Sequence, residues 1–439
     1  MRQRLINILF WSVISAAFIG PGTITTASKA GAEFGFDLLW ALVFSVIACL
    51  VLQEAVARVT IRSGINLGQA IRNHYQGRSS FTLVLILVVG AIIIGSAAYE
   101  TGNLLGAVAG LEILFPVKTH ILVLLIGLFA VLALSLPSLR NIARLMGFVV
   151  AIMGISFLTT AILLKPDLGE VVKSSFIPSL PGTSGAGLLV LGLIGTTVVP
   201  YNLFLGSGIA QESQSVKEMR FGLSIAVILG GLISMSVLVV GSFVSGPFSY
   251  EALVNTLDME LGSWIVIVFA IGMFAAGITS AITAPLASAI TARSLFSGDN
   301  PEKWSHRSFN FIITWGIVLL TGIILGMLGF KPIPAIILAQ ALNGLILPFI
   351  SIFLVFVINN PKIMGYDNMN RIFSNLLMLA VVWVTIVLGI MNLSNAMTQI
   401  FPVMGNSQEV VFIANFGLSS LIWAYVVFQL IQIRKSGHA

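Results

Sequence analysis

The chain has 439 residues, of which 57% are hydrophobic and only 9% charged, with a formal net charge of +6. A soluble domain carries about 25% charged residues. The composition therefore leaves almost no soluble mass, and the positive balance is not a nucleic-acid-binding signal: this is a polytopic membrane protein.

A spanning helix needs about 20 apolar residues, and on that rule the chain holds twelve candidate segments. The first covers about 5–34 and the second about 38–61. The third covers about 81–110, the fourth about 120–136 and the fifth about 143–164. The sixth runs over about 186–211, the seventh over about 221–246 and the eighth over about 263–295. The ninth covers about 309–329, the tenth about 333–358, the eleventh about 373–393 and the twelfth about 410–432. Arg2 and Arg4 ahead of Leu5–Ile19 imitate a signal peptide, but the apolar run continues past any cleavage site, so the segment is read as retained. Of the 22 basic residues, seventeen (Arg58, Arg62, Arg220 and Arg371 among them) fall on the side of the termini. Four lie in the opposite loops, and Lys29 sits within the first segment. That bias places both termini in the cytoplasm, with the plasma (inner) membrane as the expected location.

Two segments cannot be plain helix. Gly20-Pro21-Gly22-Thr23 interrupts the first and Val199-Pro200-Tyr201 the sixth. Proline removes a backbone hydrogen bond and glycine favours other torsions. In lipid such breaks survive only where they are buried in protein or line a cavity. Interrupted helices at corresponding places in two halves point to a transporter's binding site. The sixth segment starts five segments after the first, an odd number, so the second set enters the membrane inverted. This gives an inverted repeat of five plus five helices, 1–164 and 186–358, with two peripheral helices over 370–433.

The candidate substrate residues are Gly20, Thr23, Thr26, Thr196, Val199, Tyr201, Asn202 and Gln340. They offer carbonyl, hydroxyl and amide oxygens without charge. Gly20, Thr23, Thr196 and Val199 are expected to present backbone carbonyls. Ionisable residues at membrane depth are functional candidates by default. Glu100, with Asn103 one turn on, is read as a proton-handling or gating residue. Glu54 is expected to pair with a cytoplasmic arginine as a gate. Lys29 and Glu33, four apart, share a helix face and are expected to pair near the outer interface. The lone Cys49 rules out a disulfide or thiolate cage. His74, His120, His306 and His438 fall at segment edges or loops, which argues against a histidine metal cage. No phosphate-binding loop is present, so ATP does not drive transport by this chain alone. No enzyme activity and no cofactor is expected.

At these residues the chain resembles the natural resistance-associated macrophage protein (NRAMP) family of proton-coupled divalent-metal transporters. The run Gly20-Pro21-Gly22-Thr23 through Ala30-Gly31-Ala32-Glu33-Phe34-Gly35-Phe36-Asp37-Leu38-Leu39-Trp40 is similar to that family's first-helix signature. Gly195-Thr196-Thr197-Val198-Val199-Pro200-Tyr201-Asn202-Leu203-Phe204-Leu205 is similar to its sixth-helix signature. Leu338-Ala339-Gln340 and Leu347-Pro348-Phe349 fit its tenth-helix pattern. The resemblance implies an all-α membrane protein with the LeuT-like fold. It also shows where this chain departs. The family's metal-binding Asp falls on Gly20 and its Asn on Thr23. Its sixth-helix Ala and metal-ligating Met fall on Thr196 and Val199, and its His on Tyr201. Its third-helix Glu, Asp and Glu fall on Ile93, Glu100 and Asn103.

The expected function is therefore secondary transport of a divalent metal cation with an altered site, magnesium or a partly hydrated ion, with protons as the coupling partner. The alternatives are a LeuT-like carrier of an amino or organic acid, and a non-transporting sensor. The lipid bilayer is the expected partner and nucleic acid is not.

Overall fold

The computed structural model describes residues 19–135, 140–182, 185–210, 215–298, 300–400 and 408–435. The first half of the first segment, with Arg2, Arg4 and Phe18, lies outside the described residues, as does His438. Hydrocarbon offers no water to backbone polar groups, so apolar runs close their hydrogen bonds internally as helices. The described chain accordingly forms α1 (Pro21–Phe34), α2 (Leu39–Ser63), α3 (Leu67–Tyr75), α4 (Phe81–Leu114), α5 (Thr119–Ser135), α6 (Arg140–Leu163), α7 (Leu168–Phe176), α8 (Ala186–Thr197) and α9 (Pro200–Ile209). These are followed by α10 (Val216–Ser242), α11 (Tyr250–Leu261), α12 (Trp264–Phe296), α13 (Phe309–Met327), α14 (Pro332–Ile358), α15 (Pro361–Met364), α16 (Ile372–Ile400) and α17 (Gln408–Lys435). Among the described residues, ten spans are long and apolar enough to cross a membrane, α8 and α9 counting as one, and α5 is a shorter apolar helix.

Three short helices escape the apolar-length criterion because they cannot span. Helix α3 starts with a capping box, in which the Asn66 side chain accepts from the Gln69 N–H and Gln69 answers to the Asn66 N–H. Helix α7 is capped by Asp167 and α11 by Ser249.

Apolar side chains gain nothing by leaving lipid for protein, so the helices associate through close small-residue contacts. A Cβ on Gly31 would collide with the Leu238 carbonyl of α10, and one on Gly241 with Ser28 of α1. The same reciprocity joins α8 to α14. Gly195 sits on the Gln340 carbonyl and Gly344 on the Leu191 carbonyl. Helix α4 runs along α12, where Gly277 approaches the Asn103 carbonyl at 2.7 Å from its would-be Cβ. Large exposed side chains such as Leu83, Ile162 and Leu421 lie on the outside, where lipid covers them. Helix α17 packs mainly on α16 at the periphery.

Contacts at the helix ends tie distant segments together. Arg58, at the end of α2, donates to the Asn368 carbonyl at 2.8 Å, and Arg72 donates to the Leu295 carbonyl at 3.0 Å. On the opposite side, the Trp40 indole N–H donates to the Ser179 carbonyl at 2.8 Å.

Candidate functional site at the two helix breaks

Both interruptions fall within the stretches expected from sequence. Gly20 is extended (φ −114°, ψ −177°) and Pro21 opens α1, so Gly22 and Thr23 belong to the first helical turn. Proline suits a first helical position, where its missing N–H costs nothing. In the sixth segment, Val198 and Val199 leave helical torsions and Pro200 opens α9. Gly22 serves packing rather than chain reversal, because a Cβ there would overlap the Gln340 side-chain amide.

The breaks meet. Thr23 Oγ1 and Thr196 Oγ1 lie 2.8 Å apart, a direct hydrogen bond between α1 and the end of α8. Gly20 sits beside Ser280 of α12, and Gly192 beside Thr26. Tyr201 packs edge-on against Tyr99 of α4, with ring centroids 5.5 Å apart. The Tyr99 hydroxyl points at Thr196 without completing a hydrogen bond. Gln53 of α2 donates to the Asn202 carbonyl at 3.3 Å. The whole cluster is buried, with Thr23, Thr26 and Thr196 fully enclosed.

The expected carbonyl donors are partly committed to the backbone. The Gly20 carbonyl accepts from the Ile24 N–H at 3.2 Å, and the Val199 carbonyl accepts from the Asn202 N–H at 3.0 Å. Thr23 lies inside α1. The side-chain oxygens are the better ligands. Those of Thr26, Asn202 and Gln340 have no hydrogen-bond partner among the described residues, nor do Asn343 Nδ2 and Ser96 Oγ. Buried polar atoms left unpaired cost about 1–3 kcal/mol each. Such a concentration beside two helix breaks fits a place that water or cargo completes.

Glu100 is fully buried in α4. Its Oε2 accepts from Asn103 Nδ2 at 3.4 Å, while Oε1 has no partner. It packs against α13, where a methyl on Gly322 would meet its Cγ at 2.5 Å, and it lies within electrostatic reach of Tyr201.

The other ionisable candidates are engaged in ion pairs. Lys29 pairs with Glu33 at a partly exposed position, so its charge is not aimed into the site. Nearby, Thr25 and the Tyr250 hydroxyl of α11 share a 2.6 Å hydrogen bond. Glu54 Oε1 accepts from Arg58 Nε at 3.0 Å and from Arg220 Nη2 at 2.7 Å, joining α2 to α10. Arg58 also holds the Asn370 side chain. Tyr99, Gln53 and Ser280 were absent from the sequence-derived set. Each is a polar residue inside an apolar segment, which is the signal that would have found them. Among the described residues, no group of three or more His, Cys, Asp or Glu side chains is placed to hold a metal.

Residues 12–395 match the family described as "Natural resistance-associated macrophage protein-like". The "Divalent metal cation transporter MntH" of Bacillus subtilis is 28% identical over 375 residues, spanning 80% of this chain and 84% of that protein. The "Metal transporter Nramp1" of Populus trichocarpa is 29% identical over 300 residues, 62% of this chain and 54% of that one. A crystal structure of the Eremococcus coleocola manganese transporter superposes with a TM-score of 0.71 at 21% identity, covering 99% and 94% of the two chains. The nucleobase-cation-symport-1 family transporter Mhp1 superposes at 0.58 and 15% identity, covering 97% and 92%. Together these place the architecture among the LeuT-like helical transporters.

Proposed function

This chain belongs to the natural resistance-associated macrophage protein-like family, and on that premise we propose that it is a secondary transporter carrying a divalent metal cation with part of its water shell. The carrying observation is the donor set between the breaks. Hydroxyl and amide oxygens converge there, several without partners, and neither broken end brings a carboxylate or a thioether. Soft ligands select the later transition metals, and Val199 and Tyr201 provide none. Magnesium keeps several of its waters and is served by oxygen dipoles. Thr23, Thr26, Thr196, Tyr201, Asn202 and Gln340 would accept hydrogen bonds from those waters.

In this reading the units 1–164 and 186–358 move against each other, with 370–433 peripheral. Gly20 and Val198–Val199 are the hinges. The Glu54–Arg58–Arg220 group closes the cytoplasmic side, while Lys29–Glu33 and Thr25–Tyr250 close the other. Glu100, with Asn103, takes up the coupling proton. The protein resides in the plasma membrane with both termini in the cytoplasm. A second reading is favoured by one observation: α1 and α9 start without side-chain caps, leaving their N-terminal amides for a small organic anion.

The test is ligand-dependent thermal stabilisation of the purified protein, followed by uptake into liposomes. A hundredfold excess over Kd stabilises the folded state by about 2.7 kcal/mol. Stabilisation and uptake with magnesium or another divalent ion support the cation reading. A response to amino or organic acids alone would replace it with the second.

A further inference from the structure

Beside the Glu54 group, a cleft of about 520 Å³ opens between the end of α2, the start of α10 and the loop entering α16. Its walls carry Arg58, Arg62, Arg220 and Arg371, opposed by Asp367. A second cavity of about 340 Å³ adjoins it, since Arg220 and Ser374 line both. That neighbour is mostly apolar, walled by Leu50, Val51, Leu223 and Leu377. Arg58 and Arg220 are engaged by Glu54. Arg62 and Arg371 make no ion pair among the described residues. Four guanidinium groups thus face two carboxylates at the mouth of an apolar crevice between membrane helices.

A guanidinium fork matches phosphate oxygens in shape and charge. Basic pockets between spanning helices on the cytoplasmic side suit anionic headgroups, and the crevice beyond has the chemistry of an acyl chain. We propose that this cleft binds an anionic phospholipid. The phosphate sits on Arg62 and Arg371, with Arg220 beside it, and one chain lies between α2, α10 and α16. A soluble phosphate shares the headgroup chemistry but leaves the apolar crevice unused. The assignment is independent of which cargo the breaks carry. Because α10 packs along α1, the bound lipid would brace the element that carries the first break.

The experiment uses the full chain purified in a neutral detergent. Phosphatidylglycerol, phosphatidylcholine, inorganic phosphate and glycerol phosphate are titrated separately. Bound lipid is read by native mass spectrometry and stability by thermal melting. Phosphatidylglycerol should be retained over phosphatidylcholine on the order of tenfold. The double variant R62A/R371A should erase that preference, and R62K/R371K should restore most of it. Filling the crevice with Leu377→Trp should weaken lipid retention while leaving any response to phosphate unchanged. Equal retention of the two lipids, or an undiminished preference in R62A/R371A, would overturn the site. Stabilisation by inorganic phosphate matching that by phosphatidylglycerol would make it a soluble-anion site and refute the lipid. Should R62A/R371A fold poorly, the lysine pair and the tryptophan variant still decide the matter.

Discussion

The cluster at the helix breaks and the arginine group at the end of α2 use polar residues in opposite ways. At the breaks, neutral oxygens are buried, and several remain without partners among the described residues. At the end of α2, Glu54, Arg58, Arg220 and Asn370 satisfy one another across three elements. An unsatisfied buried group raises the energy of the state that holds it. The first region is therefore poised for an occupant, while the second holds one arrangement of helices in place.

The largest expected effect probes the satisfied group. Arg58 is nearly buried and serves Glu54, Asn368 and Asn370. Arg58→Ala should cost about 3 kcal/mol by stranding charge and acceptors, whereas exposed Arg220→Ala should cost at most about 1 kcal/mol. Equal drops in melting temperature would break the contrast.

The next tests the neutral site. Gly20 has torsions open to any residue, and among the described residues a Cβ there meets only Ser280 Oγ, at 3.3 Å. Gly20→Asp should therefore fold and supply the missing charge. Manganese affinity should rise at least about tenfold, about 1.4 kcal/mol, as measured by calorimetry. No gain in a folded variant would count against a cation path. Glu100→Gln preserves shape but removes the proton, so any pH-driven uptake into liposomes should vanish. Persisting proton dependence would assign coupling elsewhere.

A smaller effect distinguishes pH sensitivity of the scaffold from that of the site. His74 on α3 is buried against Phe356 and bonds Asn360. Burial, helped by the Arg78 charge, lowers its pKa to about 4. Between that value and the usual 6.5 or so of the unfolded chain, the unfolded state binds more protons. Stability is complete above about pH 6.5, declines as pH falls towards 4, and then levels off. His74→Asn should flatten that decline in a series of melts. Lys29→Gln should change stability by less than about 0.5 kcal/mol, because its pair is exposed. A large loss would show that the pair holds the structure more strongly than an exposed ion pair does.

The positions of the helices were legible because spanning length and backbone satisfaction in lipid are local demands. Pro21 and Pro200 marked both breaks for the same reason, since a missing N–H is a property of one residue. Within each interrupted stretch, proline begins the following half-helix, and the residue that leaves helical torsions is the one before it. Helices α3, α7 and α11 were not legible from apolar length, because their caps and amphipathic faces are weak signals beside the spans.

The sequence by itself determined the membrane class, the span pattern, both breaks and the absence of carboxylate and thioether side chains at them. Composition, spacing and residue identity carry all of these directly. The tertiary structure alone decided that Thr23 meets Thr196, that Tyr99 meets Tyr201, and that Gln340 lies over Gly22. It also decided that Arg62 and Arg371 share a cleft. These pairings join residues far apart in the chain. Only the packing of helices at small-residue contacts fixes which faces meet, and no local pattern encodes that choice.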